Sequence, residues 1–248
     1  MNQHYVWLIW SSAFLIPWAA LYLATPALRE VMWRASLATM LFGLTEPIFV
    51  PKYWTPPSLF ELTERTGFDI ESLVFSFALG GIGTVLYDAF AGRELVRATA
   101  ALRHAPQHRL HRLHRWALLL PFAAFVPLYF LPWNSIYAVL TCLLLGAIAS
   151  NVCRPELRRK SIVGGLLFLA LYAVFMLGLK WLAPGYIGAV WNLPALRVGL
   201  LYGIPTEELM FGFAFGLYWS GVYEHYTWTV AGDPIRASRQ SSSRRRSL

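Results

Sequence analysis

Two adjacent carboxylates, Glu207 and Glu208, stand in the apolar stretch GIPTEELMFGFAFG at residues 203–216. A second stretch, GFDIESLVFSFALG at 67–80, aligns with it without a gap at a constant offset of 136. The two agree at seven of fourteen positions, Glu71 with Glu207 among them. A glutamate inside a membrane is costly and marks a functional or internally paired position. Its recurrence points to a site of two carboxylates between related halves. Burial and a neighbouring carboxylate both favour the protonated form of a glutamic acid. Such an acid can protonate a carbon–carbon double bond, while an ionised neighbour stabilises the carbocation and accepts the final proton.

The residues that follow the acids suit that chemistry. At about 100° per residue, Glu207 shares a face with Phe211, Ala214 and Tyr218, and Glu208 lies above Gly212, Phe215 and Trp219. Aromatic faces attract a cation, so Phe75, Phe211, Phe215 and Tyr218 are candidate substrate contacts. Glu207 is the expected proton donor, Glu71 or Glu208 the cation stabiliser and acceptor, and Glu46 a supporting acid. Lys180 and Arg197 fall near the same depth, as counter-ions or as side chains that snorkel to the interface.

The elements that must position these residues are helices in a membrane. The 248 residues are 57% hydrophobic and 14% charged, against roughly 45–50% and 25% in soluble domains. Seven apolar stretches approach the length that crosses a hydrocarbon core, at 5–24, 31–50, 70–92, 116–133, 135–153, 161–182 and 206–228. The first is long for a signal core and reads as helix one. Alternating the loops puts 17 of the 21 Lys and Arg residues on one side, which sets the amino terminus out and the carboxyl terminus in. The expected fold is an all-α membrane protein of seven transmembrane helices. Helices 1–3 and 5–7 form a parallel duplication of a three-helix unit, with helix 4 linking them. Residues 1–92 hold the first unit, 93–133 a basic loop and the linking helix, 134–228 the second unit, and 229–248 a basic tail expected to be disordered.

Other features narrow the function. The net charge of +8 is spread over loops and tail, which suits anionic lipid rather than nucleic acid. His104, His108, His111 and His114 recur at helical spacing, but further histidine boxes are missing, so no metal is expected. Cys142 and Cys153 are about 16 Å apart along one helix, too far for a disulfide. Tyr53 and Trp54 read as an interfacial aromatic belt, and Asp88 and Glu224 as solvated inner-end acids. An intramembrane protease of the Glu-Glu type would want membrane-embedded histidines. No glycine-rich dinucleotide fingerprint is present, and no cofactor is expected.

The segment IPTEELMFGF, with Pro205, Glu207, Glu208, Leu209 and Phe211, resembles the motif of the integral-membrane lycopene cyclases, built as two small subunits or one fused chain. The duplicated three-helix unit is similar to the fused form. The first half departs from the motif, with Asp69 where a proline is expected and Ser72 where the second acid is expected. The resemblance implies a multi-pass cell-membrane enzyme, an isomerase or intramolecular lyase that cyclises a lycopene-like carotenoid without redox change. Its implied partners are the polyene, the bilayer and other carotenoid-pathway enzymes. A non-catalytic or divergent carotenoid- or retinal-binding protein and a proton-coupled transporter are the alternatives. Helix seven has no lysine for a Schiff base. Retinal added to the purified protein is therefore expected to show no spectral shift, and a red-shifted band would count against this reading.

Overall fold

Proline sets where the first two apolar segments bend. The computed structural model describes residues 3–97 and 114–234. The first segment runs as α1 (Val6–Ala13) and α2 (Leu15–Ala24), with a break at Phe14. Pro17 cannot donate to the Ala13 carbonyl and its ring crowds that group, which accounts for the break. α3 (Arg29–Met40) tightens into a 3-10 segment, Leu41–Ile48, that contains Pro47. Gly43 lets this coil touch the next long helix, because a Cβ there would lie 2.6 Å from the Leu73 backbone nitrogen.

α4 (Leu62–Thr66) is a single turn before α5 (Ile70–Ala91), whose N-cap is Asp69. The Asp69 side chain accepts from the Ser72 N–H at 2.5 Å, a capping bond of the usual type. The residue that departs from the Pro-x-Glu-Glu pattern therefore starts a helix instead. β1 (Arg93–Arg97) follows. The second part of the chain holds α6 (His114–Tyr129), α7 (Ser135–Cys153), α8 (Arg158–Leu182) and α9 (Tyr186–Val190). A two-residue hairpin then joins β2 (Leu200–Leu201) to β3 (Ile204–Pro205). Its turn residues Tyr202 and Gly203 both have positive φ, as a type I′ turn requires. α10 (Thr206–Thr227) and β4 (Thr229–Pro234) complete the order.

The protein is mostly helical (79%), and among the described residues four helices are long and apolar enough to cross a membrane: Gln3–Ala24, Ile70–Ala91, Ser135–Cys153 and Pro155–Leu182. The other three expected spans differ for local reasons. The second is part α-helix and part 3-10 helix around Pro47. The fourth stops at Tyr129 after 16 residues that include Pro121 and Pro127. The seventh has 22 residues but carries Glu207, Glu208, Glu224 and His225. His104, His108, His111 and the tail arginines lie outside the described residues.

Polarity is inverted relative to a soluble protein. Ile16, Phe130, Val174 and Trp181 are more than two-thirds exposed, whereas Glu46, Asp69, Glu71, Asp88, Glu207, Glu208 and Glu224 are buried. Seven of the thirteen acids are thus buried among the described residues, as association with a membrane favours.

The most extensive helix pairings are α3 with α5 and α8 with α10, while α1 and α2 lie on α5 and α7 lies on α10. Segments about 136 residues apart also meet directly. Trp54 bridges Trp191, with the Thr55 N–H donating to Val190 O at 2.8 Å and the Asn192 N–H to Tyr53 O at 2.9 Å. At the other end β1 pairs antiparallel with β4. α5 and α10 end on left-handed residues 136 apart, Gly92 and Trp228.

Matched glycines sit at both main crossings. A Cβ on Gly80 would fall 1.9 Å from Thr39 Oγ1 on α3, and one on Gly216 would fall 2.5 Å from Phe168 Cβ and 2.8 Å from Gly164 O on α8. Backbone cannot yield as a side-chain tip can. Gly216→Ala is expected to cost about 1–3 kcal/mol, read as a lower melting temperature in detergent. Gly188→Ala, whose added Cβ meets nothing within 4 Å, is expected to leave it unchanged.

Candidate functional site

A cavity of about 350 Å³ lies among α5, α8, α10 and the 3-10 segment. Its wall is aromatic: Phe75 from α5, Tyr172 and Phe175 from α8, and Phe211, Phe215, Tyr218 and Trp219 from α10. The rings form a connected layer, with centroids 5.9 Å apart for Phe75 and Phe175, 5.7 Å for Phe211 and Phe215, and 5.3 Å for Phe215 and Trp219. All four expected substrate contacts, Phe75, Phe211, Phe215 and Tyr218, are on this wall. Phe42 and Phe122 line it as well, stack at 6.1 Å, and are themselves exposed. They mark where the lining reaches the protein surface, between the 3-10 segment and α6.

Two carboxylates line this cavity, Glu208 and Glu46, and their surroundings are unlike. Glu208 Oε1 accepts from Tyr53 OH at 2.5 Å and from Trp191 Nε1 at 2.8 Å, and Oε2 accepts from Tyr172 OH at 2.6 Å. It accepts in all three bonds, the role of a carboxylate group. The bridge between the Trp54 and Trp191 loops delivers two of these donors and α8 the third. Glu46 is 3% exposed, and neither of its oxygens makes a well-aligned hydrogen bond, although the Ser72 and Asp69 side chains lie close enough to interact weakly. Asp69, Glu71 and Ser72 are its neighbours.

Glu207 and Glu71, the pair matched by the repeat, do not line the cavity. Glu207 Oε1 accepts from Tyr137 OH at 2.5 Å and from the backbone N–H groups of Val198 at 3.1 Å and Arg197 at 3.2 Å. Glu71 Oε1 accepts from the Leu59 N–H at 2.7 Å. Each therefore fastens the loop that leads into its own helix. Glu207 begins the column of Phe211, Ala214 and Tyr218, but its carboxylate turns toward the loop.

The counter-ion expectation for Lys180 and Arg197 is corrected. Lys180 Nζ donates to Tyr202 O at 2.6 Å, and Arg197 serves Glu207 with its backbone N–H. Among the described residues neither forms a salt bridge with a glutamate. The hairpin turn draws Lys180 away from the acids.

Tyr53, expected in an interfacial belt, is 4% exposed and bound to Glu208. Its sequence neighbours gave no sign of this, because the bond spans 155 positions. Asp88 and Glu224, read as solvated, are 0% and 1% exposed. Both are ion-paired to Lys160 of α8, Glu224 at 2.6 Å. Here the sequence did hold a signal: Asp88 and Glu224 are 136 apart, as are Tyr87 and Tyr223.

Residues 134–226 match the model of a family described as lycopene cyclase. No curated protein and no solved structure matches the chain.

The Lys160 triad yields a stability test. Removing one partner of a buried ion pair costs about 3–5 kcal/mol because it strands the remaining charge. Lys160→Met is expected to lower detergent-resistant folded protein sharply. Adding Asp88→Asn and Glu224→Gln to it is expected to restore most of the loss, by size-exclusion recovery after heating.

Proposed function

We propose that this chain, whose residues 134–226 match the lycopene cyclase family model, cyclises the end of a lycopene-like polyene by acid catalysis without redox change. The observation that carries this reading is the cavity itself, aromatic on its walls and bordered by two carboxylates with opposite hydrogen-bonding environments. We assign the proton to Glu46, which forms no well-aligned hydrogen bond and lies beside two other acids, Asp69 and Glu71. An unpaired buried charge would be costly there. Glu208, held as an acceptor by Tyr53, Tyr172 and Trp191, is the base.

Glu46 adds its proton to a carbon of the terminal double bond, leaving a tertiary cation. The π electrons of a nearby double bond in the same chain attack that cation and close the ring. The ring cation then loses a neighbouring proton to Glu208, and transfer of one proton from Glu208 back to Glu46 resets the site. No electrons leave or enter. Phe75, Phe211, Phe215 and Trp219 stabilise the cation through their ring faces and keep out the water that would trap it. The donor role expected for Glu207 passes to Glu46, Glu208 keeps the acceptor role that it was expected to hold or share with Glu71, and the matched pair anchors the loops that shape the chamber.

The same reading puts the enzyme in a cell membrane as a multi-pass protein, with seven segments crossing, the amino terminus out and the carboxyl terminus in. Its support is the basic bias of alternate loops, the four long apolar helices and the inward acids. A parallel duplication about an axis normal to the membrane accounts for the antiparallel meeting of equivalent segments at both ends, and for the equivalent glycines at both helix crossings. Phe42 and Phe122 would open sideways to lipid, the phase that carries the substrate. A chamber of about 350 Å³ suits one end of a long polyene, with the remainder lying along α6 or in lipid.

Expression in a lycopene-accumulating bacterial host, followed by pigment chromatography, tests the proposal. The chain is expected to form cyclic ends, and none from a well-expressed chain would end the lycopene reading. Glu46→Gln and Glu208→Gln are each expected to cut turnover per folded protein by about 10²–10⁴-fold. Glu71→Gln and Glu207→Gln are expected to reduce the amount of folded protein more than turnover. The opposite ranking would overturn the assignment of acids.

A further inference from the structure

The ends of α6, α7 and α10 bring together three residues that the cyclase chemistry does not use. His114, Cys153 and His225 are buried, and one ligand atom from each lies within 4.8 Å of the others. They are distant in sequence, since His114 and His225 are 111 positions apart.

The tautomers are set by the backbone. His114 Nε2 meets His225 O at 2.5 Å and His225 Nε2 meets His114 O at 3.3 Å. A carbonyl can only accept, so in each ring Nε2 carries the hydrogen and Nδ1 presents a lone pair. His114 Nδ1 faces Cys153 Sγ at 3.5 Å. His225 Nδ1 is buried with no hydrogen-bond partner, although the residue is 0% exposed. An unsatisfied buried nitrogen of this kind is expensive unless something occupies it.

Two imidazoles whose Nε2 atoms are fixed on backbone carbonyls, with a thiol facing the Nδ1 of one of them, match the donor set and outer-shell pattern of a transition-metal site. Zinc binds nitrogen at about 2.0–2.1 Å and thiolate sulfur at about 2.3 Å, which puts neighbouring donors of a tetrahedral ion about 3.5 Å apart. The separation of His114 Nδ1 and Cys153 Sγ already has that value. We propose that His114, Cys153 and His225 bind one zinc ion that clamps α6 and α7 to the inner end of α10. The rings now stack in parallel at 3.9 Å and 4°. Loading splays them about their Nε2 hydrogen bonds so that both Nδ1 lone pairs converge. Cys153 binds as the thiolate, releasing its proton, beside the Arg154 guanidinium, which is anchored on Glu224 O and Thr229 O. A fourth position remains for water. The site is independent of the cyclase assignment, and its readout is metal content.

The full chain, purified in detergent without chelator and equilibrated with Zn(II), is expected to retain one zinc per chain by elemental analysis. Co(II) in its place is expected to give near-ultraviolet thiolate-to-metal charge-transfer absorption. Cys153→Ser should lose that band and Cys142→Ser should keep it. A chain with His104, His108 and His111 all changed to Gln should still hold one metal, which separates this site from the neighbouring histidines. His225→Gln, with an unchanged helical circular-dichroism spectrum, should lose retained zinc at least tenfold. Monodisperse wild-type protein that retains no zinc, or a cobalt band that survives Cys153→Ser, overturns the proposal.

Discussion

A carboxylate surrounded by hydrocarbon has no water to turn to, and every buried acid in this protein must find its partners among other parts of the chain. That constraint organises the molecule at both ends. Glu207 and Glu71 take backbone N–H groups from the loops that precede their helices, so the acids and the loops order one another. Asp88 and Glu224 share Lys160, which ties α5 and α10 to α8. Glu208 takes three side-chain donors from three separate segments. Glu46, on the cavity lining, makes no well-aligned bond and has only the Ser72, Asp69 and Glu71 side chains for company.

Residues 136 positions apart build a scaffold, and the cavity draws on places where such pairs differ. Equivalent positions do the same mechanical work in both halves: Glu71 with Glu207, Gly80 with Gly216, Gly92 with Trp228. The cavity draws on positions that differ. Glu208 corresponds to Ser72, and both line the chamber, so one related position supplies a carboxylate and the other only a hydroxyl. Two acids in equal settings would compete for one proton. Two acids in unequal settings can hold distinct roles.

The helical character, the buried Glu71, Glu207 and Glu208 and the aromatic wall were legible in the sequence because they follow from local periodicity and from the matched stretches. The division of labour among the glutamates was not. Glu207 and Glu208 are neighbours on one helix turn, and the direction each takes depends on Val198, Tyr53 and Trp191, which reach them through loop geometry. Tyr53 looked interfacial because its partner is 155 positions away. The solvated reading of Asp88 and Glu224 failed for a different reason: the repeat extends to them, but only Lys160, on another helix, turns two lone acids into a triad. Cys153 was silent because its histidine neighbours lie on two other helices. The second segment turned into a 3-10 coil around Pro47 and the fourth ended at Tyr129, where a hydropathy window sees only apolar residues.

The strand pair of β1 with β4 and the bridge of Trp54 with Trp191 join the two halves by backbone hydrogen bonds at opposite ends. Backbone pairing of this sort does not depend on the halves being covalently continuous. A gene cut between residues 98 and 113 would leave each product with one edge of both junctions, so that separately synthesised halves could recognise each other as a heterodimer. Two copies of the first half would line the chamber with two hydroxyls and two copies of the second with two carboxylates, so only the mixed pair sets Ser72 against Glu208.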